Sequence, residues 1–125
     1  MPDNFSLSIV IPVFNEGDSL EKLYCELSKV LEPFSGCEII FVDDGSDDNS
    51  YTLLKKIADE DSRVAVLRFF KNFGKADALS AGFKQTRGDL IITMDADLQD
   101  DPAEISNLVE KIQEGWDLVS GWKKN

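Results

Sequence analysis

Leu90-Ile91-Ile92-Thr93-Met94-Asp95-Ala96-Asp97-Leu98-Gln99-Asp100-Asp101-Pro102 passes from an apolar run straight into a cluster of aspartates. An apolar run of that length reads as a buried strand, and the carboxyl end of such a strand is where open α/β sheets bind ligands. In an extended backbone, residues i and i+2 share a side. Asp95 and Asp97 are therefore expected to aim both carboxylates at one point, with the Gln99 amide oxygen one step further. Oxygen donors of this kind suit Mg²⁺ or Mn²⁺. The plainer reading is a loop that caps the next helix, since Asp100 or Asp101 before Pro102 makes a good N-cap. That reading accounts for Asp101 and leaves Asp95 and Asp97 without a role.

Outward from this junction, short apolar runs alternate with helical periodicity, which predicts a mostly parallel sheet with helices on both faces, a Rossmann-like α/β fold. Leu7–Val13 is the first expected strand. Asp18 is expected to cap the helix after it, with Glu21 completing a capping box and Leu20, Leu23, Tyr24, Leu27 and Leu31 as the apolar stripe. Pro33 and Gly36 end that helix. Ile39–Val42 is continuously apolar, as expected of a strand buried on both faces. A helix through Leu53, Leu54, Ile57 and Ala58 follows, then a strand at Val64–Leu67. Next comes a helix rich in small residues, Ala76, Ala78, Ala81 and Gly82, which lets it sit close to its neighbours. After the strand Leu90–Met94, Ile105, Leu108, Val109 and Ile112 recur at helical spacing, with Trp116 expected in the core at the end of that face. Leu118–Gly121 reads as a fifth strand.

The chain has 125 residues, 42% of them hydrophobic, enough for one domain with its own core. Its 24 acidic against 13 basic residues give a net charge of −11. That balance argues against nucleic acid or an anionic membrane as the main partner, and implies that a phosphate-bearing ligand arrives with a cation. Histidine is absent, so acids, bases and metal ligands must be carboxylates, amides, hydroxyls or lysines. Cys25 and Cys37 lack metal-type spacing and follow no signal peptide, which predicts reduced, mostly buried thiols in a cytoplasmic protein. No stretch approaches the roughly 18 apolar residues of a membrane span.

Three strand ends carry unusual polar residues: Pro12-Val13-Phe14-Asn15-Glu16, Asp43-Asp44-Gly45-Ser46 and Asp95-Ala96-Asp97. In a parallel sheet all three emerge on one edge and can converge on a crevice. Each alone reads as turn chemistry. Together they concentrate like charge, and two carboxylates about 4 Å apart repel by roughly 4 kcal/mol at an effective dielectric of about 20, so the cluster calls for a neutralising ligand or cation. Neither G-x-x-x-x-G-K-[ST] nor a G-x-G-x-x-G after the first strand is present, which disfavours P-loop kinases and dinucleotide dehydrogenases.

These segments, with Asn72-Phe73-Gly74-Lys75, Ala78 and Ala81-Gly82 between them, resemble in order and spacing the family 2 glycosyltransferases of the GT-A fold. Asp-Ala-Asp-Leu-Gln, together with Arg68 and the Asn-Phe-Gly loop, most resembles the polyprenyl-phosphate branch. The resemblance implies a UDP- or GDP-sugar donor, an inverting, Mg²⁺- or Mn²⁺-dependent transfer and a polyprenyl-phosphate acceptor. By the same resemblance, Pro12, Val13, Asn15, Glu16, Asp43, Asp44, Gly45, Ser46, Lys75, Asp95, Ala96 and Asp97 would line the nucleotide site. Asp44 would accept from the base or ribose and Lys75 would approach the phosphates. Asp95, Asp97 and Gln99 would hold the metal, with Asp95 and Asp97 as the catalytic pair. Arg68 would support Asp43 or Asp44, and Phe14 stands where many relatives have tyrosine.

Such domains run to about twice this length, so the resemblance also implies a truncated GT-A domain, the donor half, incomplete at its C-terminus and poor in turnover. The acceptor would be bound by the missing part. Full-length relatives often lie at the cytoplasmic face of the membrane, and an unpaired edge beside the fourth strand would favour a homodimer. A non-catalytic nucleotide-binding or scaffold domain of the same fold is the alternative. A receiver domain would need its acidic pair after the first strand, whereas here it follows the second, and Arg68-Phe69 stand where the phosphoacceptor aspartate belongs. A sugar-nucleotide pyrophosphorylase would need a basic Gly-rich loop where Phe14-Asn15-Glu16-Gly17-Asp18 stands.

Overall fold

The computed structural model describes residues 6–113. The elements follow in the order β1 (Ser6–Val13), α1 (Leu20–Leu31), β2 (Gly36–Asp43), α2 (Ser50–Glu60), β3 (Val64–Arg68), α3 (Lys75–Phe83), β4 (Leu90–Thr93) and α4 (Glu104–Gln113). The sheet has four strands in the order β3-β2-β1-β4, and every pair is parallel. Within the described residues, each apolar run expected to be a strand is one. Trp116 and Leu118–Gly121 lie outside the described residues.

The period of two along β1 divides the core. Leu7, Ile9, Ile11 and Val13 point to one face with Ile39 and Phe41 of β2, where they meet the leucine stripe of α1, Leu54 and Ile57 of α2, and Ile105, Leu108 and Val109 of α4. The opposite face belongs to α3, whose Ala78 packs on Ile40 and Val42. The small residues there have the effect read from the sequence: a Cβ on Gly82 would stand 2.5 Å from Val10 Cγ1.

Local details depart from expectation. Asp18 does not cap α1. Ser19 and Leu20 both donate their amides to the Glu16 carbonyl, so the chain is already turning at Glu16 and Ser19 takes the N-cap position. No side-chain cap bond forms; the Ser19 hydroxyl instead donates across to the Ala96 carbonyl at 2.7 Å. Cys25 is exposed because it lies off the leucine stripe, and Cys37 is half-buried; both are free thiols. The two aspartates before Pro102 divide their work. Asp101 accepts from the Ala103 amide at 3.0 Å, as a cap would, while Asp100 reaches back to the Asp95 amide at 2.8 Å.

The amino edge of the sheet is closed by its own polar contacts. Ser8 Oγ donates to Glu38 at 2.6 Å and accepts from the Gly88 amide, anchoring the loop that enters β4. Asp61 joins Tyr24 and Arg63; hydrogen bonds from Arg63, with Tyr24 assisting, hold its carboxyl far below the usual range despite burial. No helix among the described residues is long and apolar enough to cross a membrane.

Candidate functional site

β2 and β3 lie on one side of β1 and β4 on the other, so the order of strands reverses between β1 and β4. In open α/β sheets the crevice outside the carboxyl ends at such a reversal is the ligand position. Two of the three acidic strand ends, those after β1 and β4, flank it.

The ends of β1 and β2 are laced together. Asn15 adopts a left-handed conformation at φ 53. Its amide donates to Ser46 Oγ at 2.9 Å, and its side-chain oxygen accepts from the Asp47 amide at 2.8 Å. The Glu16 amide donates to Ser50 Oγ, the Gly17 amide to Asp48, and the Ser46 amide to Asp43 Oδ1. Asp48 sits below the ordinary carboxylate range: burial pushes it up, and donors from Ser50 and Gly17 more than offset that.

Asp43 is fully buried, with its second oxygen, Oδ2, unpartnered by any hydrogen bond and Arg68 Nε 3.9 Å away. Arg68 is the register partner of Asp43 on β3 and lies over the Tyr51 ring. Asp44 is 4% exposed. Its carboxylate accepts from Phe73 N at 2.7 Å, Gly74 N at 3.0 Å and Asn72 Nδ2 at 3.0 Å, so it cradles the β3–α3 loop. Gly45, at φ +73, lets that loop pass: a Cβ would meet the Lys71 carbonyl carbon at 2.3 Å. Pro12 is half-buried, and Val13 and Ala96 are buried.

The turn after β4 is more open. The backbone does not stay extended through it: a turn forms at Ala96–Asp97 and Leu98 adopts φ 68, so Asp95 and Asp97 do not align by strand alternation. Asp97 is exposed and accepts from the Gln99 amide at 3.1 Å, and the Gln99 side chain is exposed. Lys75, the first residue of α3, places its ammonium 2.5 Å from Asp95 Oδ1. Glu16, across the crevice, is raised above its usual 4.5, chiefly by burial, with the negative charges of Asp97, Asp48 and Asp95 adding to it. The β1 and β4 ends therefore share one electrostatic neighbourhood.

The contacts of three positions here are not legible in the sequence. Asp100, 4% exposed, ties down the Asp95 backbone and keeps Oδ1 without a hydrogen-bond partner. Asp48 and Asn72 each join two turns. Their residue types suit turns, but nothing in their spacing shows which backbone amides they meet.

Among the described residues, no three carboxylate, thiol or imidazole side chains gather as a metal cage. Mg²⁺ is ordinarily held by one or two carboxylates, with ligand phosphates and waters completing its shell. Asp95 already carries a cation in the Lys75 ammonium, and Asp97 and Gln99 supply further oxygens nearby in sequence. The donor set fits an ion of that class.

A parallel α/β sheet with a carboxylate-lined crevice at its strand reversal is an open, Rossmann-like α/β fold whose ligand position lies at that crevice. The chain belongs to glycosyl transferase family 2, whose family model matches residues 8–124. It is 46% identical over 121 residues to an undecaprenyl-phosphate 4-deoxy-4-formamido-L-arabinose transferase of Yersinia pestis, covering 95% of this chain and 37% of that protein. The enzyme of the same name from Shewanella sediminis is 48% identical over 118 residues, covering 90% and 35%. The chain thus spans little more than a third of these relatives.

Among solved structures, the mannosyltransferase PcManGT from Pyrobaculum calidifontis, in complex with GDP-Man and Mn²⁺, superposes with a TM-score of 0.75 at 21% identity, over 85% of this chain and 32% of that one. S. aureus TarS 1-349 in complex with UDP gives 0.74 at 22% identity, over 87% and 32%. These likenesses establish the shared fold, and the α/β GT-A class read from the sequence stands.

Proposed function

We propose that this chain is the donor-binding part of a family 2 glycosyltransferase that moves a sugar from a UDP- or GDP-sugar to polyprenyl phosphate, with inversion, at the cytoplasmic face of a membrane. The observation that carries this reading is the Asp95 carboxylate at the strand reversal, paired with the Lys75 ammonium, with Asp95 and Asp97 both acting on Glu16 across the crevice. The relatives named for undecaprenyl phosphate support the acceptor, and the neighbours bound to UDP and GDP-Man support the donor.

In this reading Asp95, Asp97 and Gln99 would hold Mg²⁺ or Mn²⁺, which would supply positive charge to the departing diphosphate. Pro12, Val13 and the laced turn around Asn15 and Ser46 form the wall for the nucleoside, and Lys75 stands within reach of the phosphates. Asp43 and Asp44 contribute by shaping that wall, because their carboxylates already serve backbone amides. The acceptor phosphate is ionised at neutral pH, so its oxygen attacks the anomeric carbon while the bond to the diphosphate breaks, with no general base required.

Thermal melting with UDP, GDP, UMP and GMP, each with and without Mn²⁺, tests the reading. A ligand at about a hundred times its dissociation constant adds about 2.7 kcal/mol, several degrees for a domain of this size. A shift confined to one nucleoside diphosphate with metal is expected and identifies the base. No shift with any pair overturns the reading in favour of a non-catalytic domain.

A further inference from the structure

We propose that Lys75 is the resident counter-cation of Asp95, and that a divalent metal ion gains this carboxylate by displacing it. This inference rests on the donor-site reading above and adds an ion exchange to it. The Lys75–Asp95 contact, at 2.5 Å, is shorter than the other described ion pairs, which span 2.7–4.0 Å. Its two halves are built differently. Asp95 is held in place: its side chain is 19% exposed, and its amide is bound by the buried Asp100 carboxylate. The Lys75 side chain is 54% exposed on a flexible stem, so it can leave without disturbing packing.

The backbone under Lys75 stays where it is. Gly74, at φ +108, opens α3, and Asp44 accepts from Gly74 N, Phe73 N and Asn72 Nδ2, so the start of α3 is fastened to the end of β2. A fixed root with a movable ammonium suits a placeholder. It keeps Asp95 neutralised in the empty site and yields to a cation of higher charge. When a nucleoside diphosphate accompanies the metal, the displaced ammonium remains close enough to meet the added negative charge.

Lys75 therefore opposes metal binding to the nucleotide-free chain and favours binding of metal with nucleoside diphosphate. The exposed pair is weak, so the opposing effect is modest. Lys75→Gln should bind Mn²⁺ alone about fivefold more tightly than the wild type, read from the free Mn²⁺ signal in electron paramagnetic resonance titrations. The same variant should bind Mn²⁺ with GDP or UDP more weakly. Lys75→Arg, which keeps the charge, should behave as the wild type does, and so should Lys71→Gln on the neighbouring loop. Unchanged or weaker Mn²⁺ binding by nucleotide-free Lys75→Gln, in a protein whose wild type binds metal with nucleotide, overturns the exchange and leaves the donor site standing. If neither wild type nor variant binds Mn²⁺ with or without nucleotide, both readings fall.

Discussion

The turns after β2 and β4 leave the same edge of the sheet, and each opens on a pair of aspartates, Asp43 and Asp44 in one and Asp95 and Asp97 in the other. In the first, the carboxylates are 0% and 4% exposed and accept from the amides of Ser46, Phe73 and Gly74. In the second, Asp97 is exposed, and Asp95 faces a lysine ammonium. Burial and nearby amide donors engage one acidic pair in the fold itself. The other is more open to solvent, with Asp95 paired to the Lys75 ammonium. Acidic composition at a strand end does not by itself separate these environments.

The largest expected effect comes from comparing the two turns in a stability assay. Asp44→Ala removes three hydrogen bonds at a buried site and strands the Phe73 and Gly74 amides, and hydrogen bonds to a charged acceptor contribute about 1.5–3 kcal/mol each without simple additivity. A loss of about 3 kcal/mol or more, roughly 10 °C in Tm, is expected. Asp97→Ala removes one contact to Gln99 N at the surface and should cost about 1 kcal/mol or less. Urea melts of the two variants side by side check this, and equal losses would break the comparison.

A smaller effect sharpens it through pH. Glu16 is raised above 4.5 in the folded state by burial and by the charges of Asp97, Asp48 and Asp95. Its protonated form therefore favours folding: that contribution is complete below about pH 4.5 and is lost as pH rises through the higher folded value. Glu16→Gln should melt slightly above the wild type at pH 7 and level with it near pH 3.5. A variant that melts below the wild type at pH 7 would show that the Glu16 charge is stabilising where the crevice is said to repel it.

Much of the fold was legible because apolar runs report burial directly. Ile39–Val42 and Leu90–Thr93 are strands, and the small residues of α3 meet Val10 and Val42 at close range. Caps and turns were harder, because their outcome depends on where a neighbouring segment begins to turn. Asp18 lost the cap to Ser19 once Glu16 O had taken two amides. The spacing of Asp95 and Asp97 suits an extended strand end, but Leu98 at φ 68 bends the chain. The site was legible as three strand ends on one edge. Which carboxylates would be consumed there was not, since Asp44 meets partners about 30 positions away in the chain.

Calorimetric titration of Mn²⁺ with GDP or UDP into the wild type and Asp97→Ala, both shown folded by their melts, tests the central claim most directly. The account predicts that Asp97→Ala keeps its melting temperature within a few degrees and loses about a hundredfold in metal-dependent nucleotide affinity. Wild-type affinity in Asp97→Ala would contradict it and move the ligand away from the β4 turn.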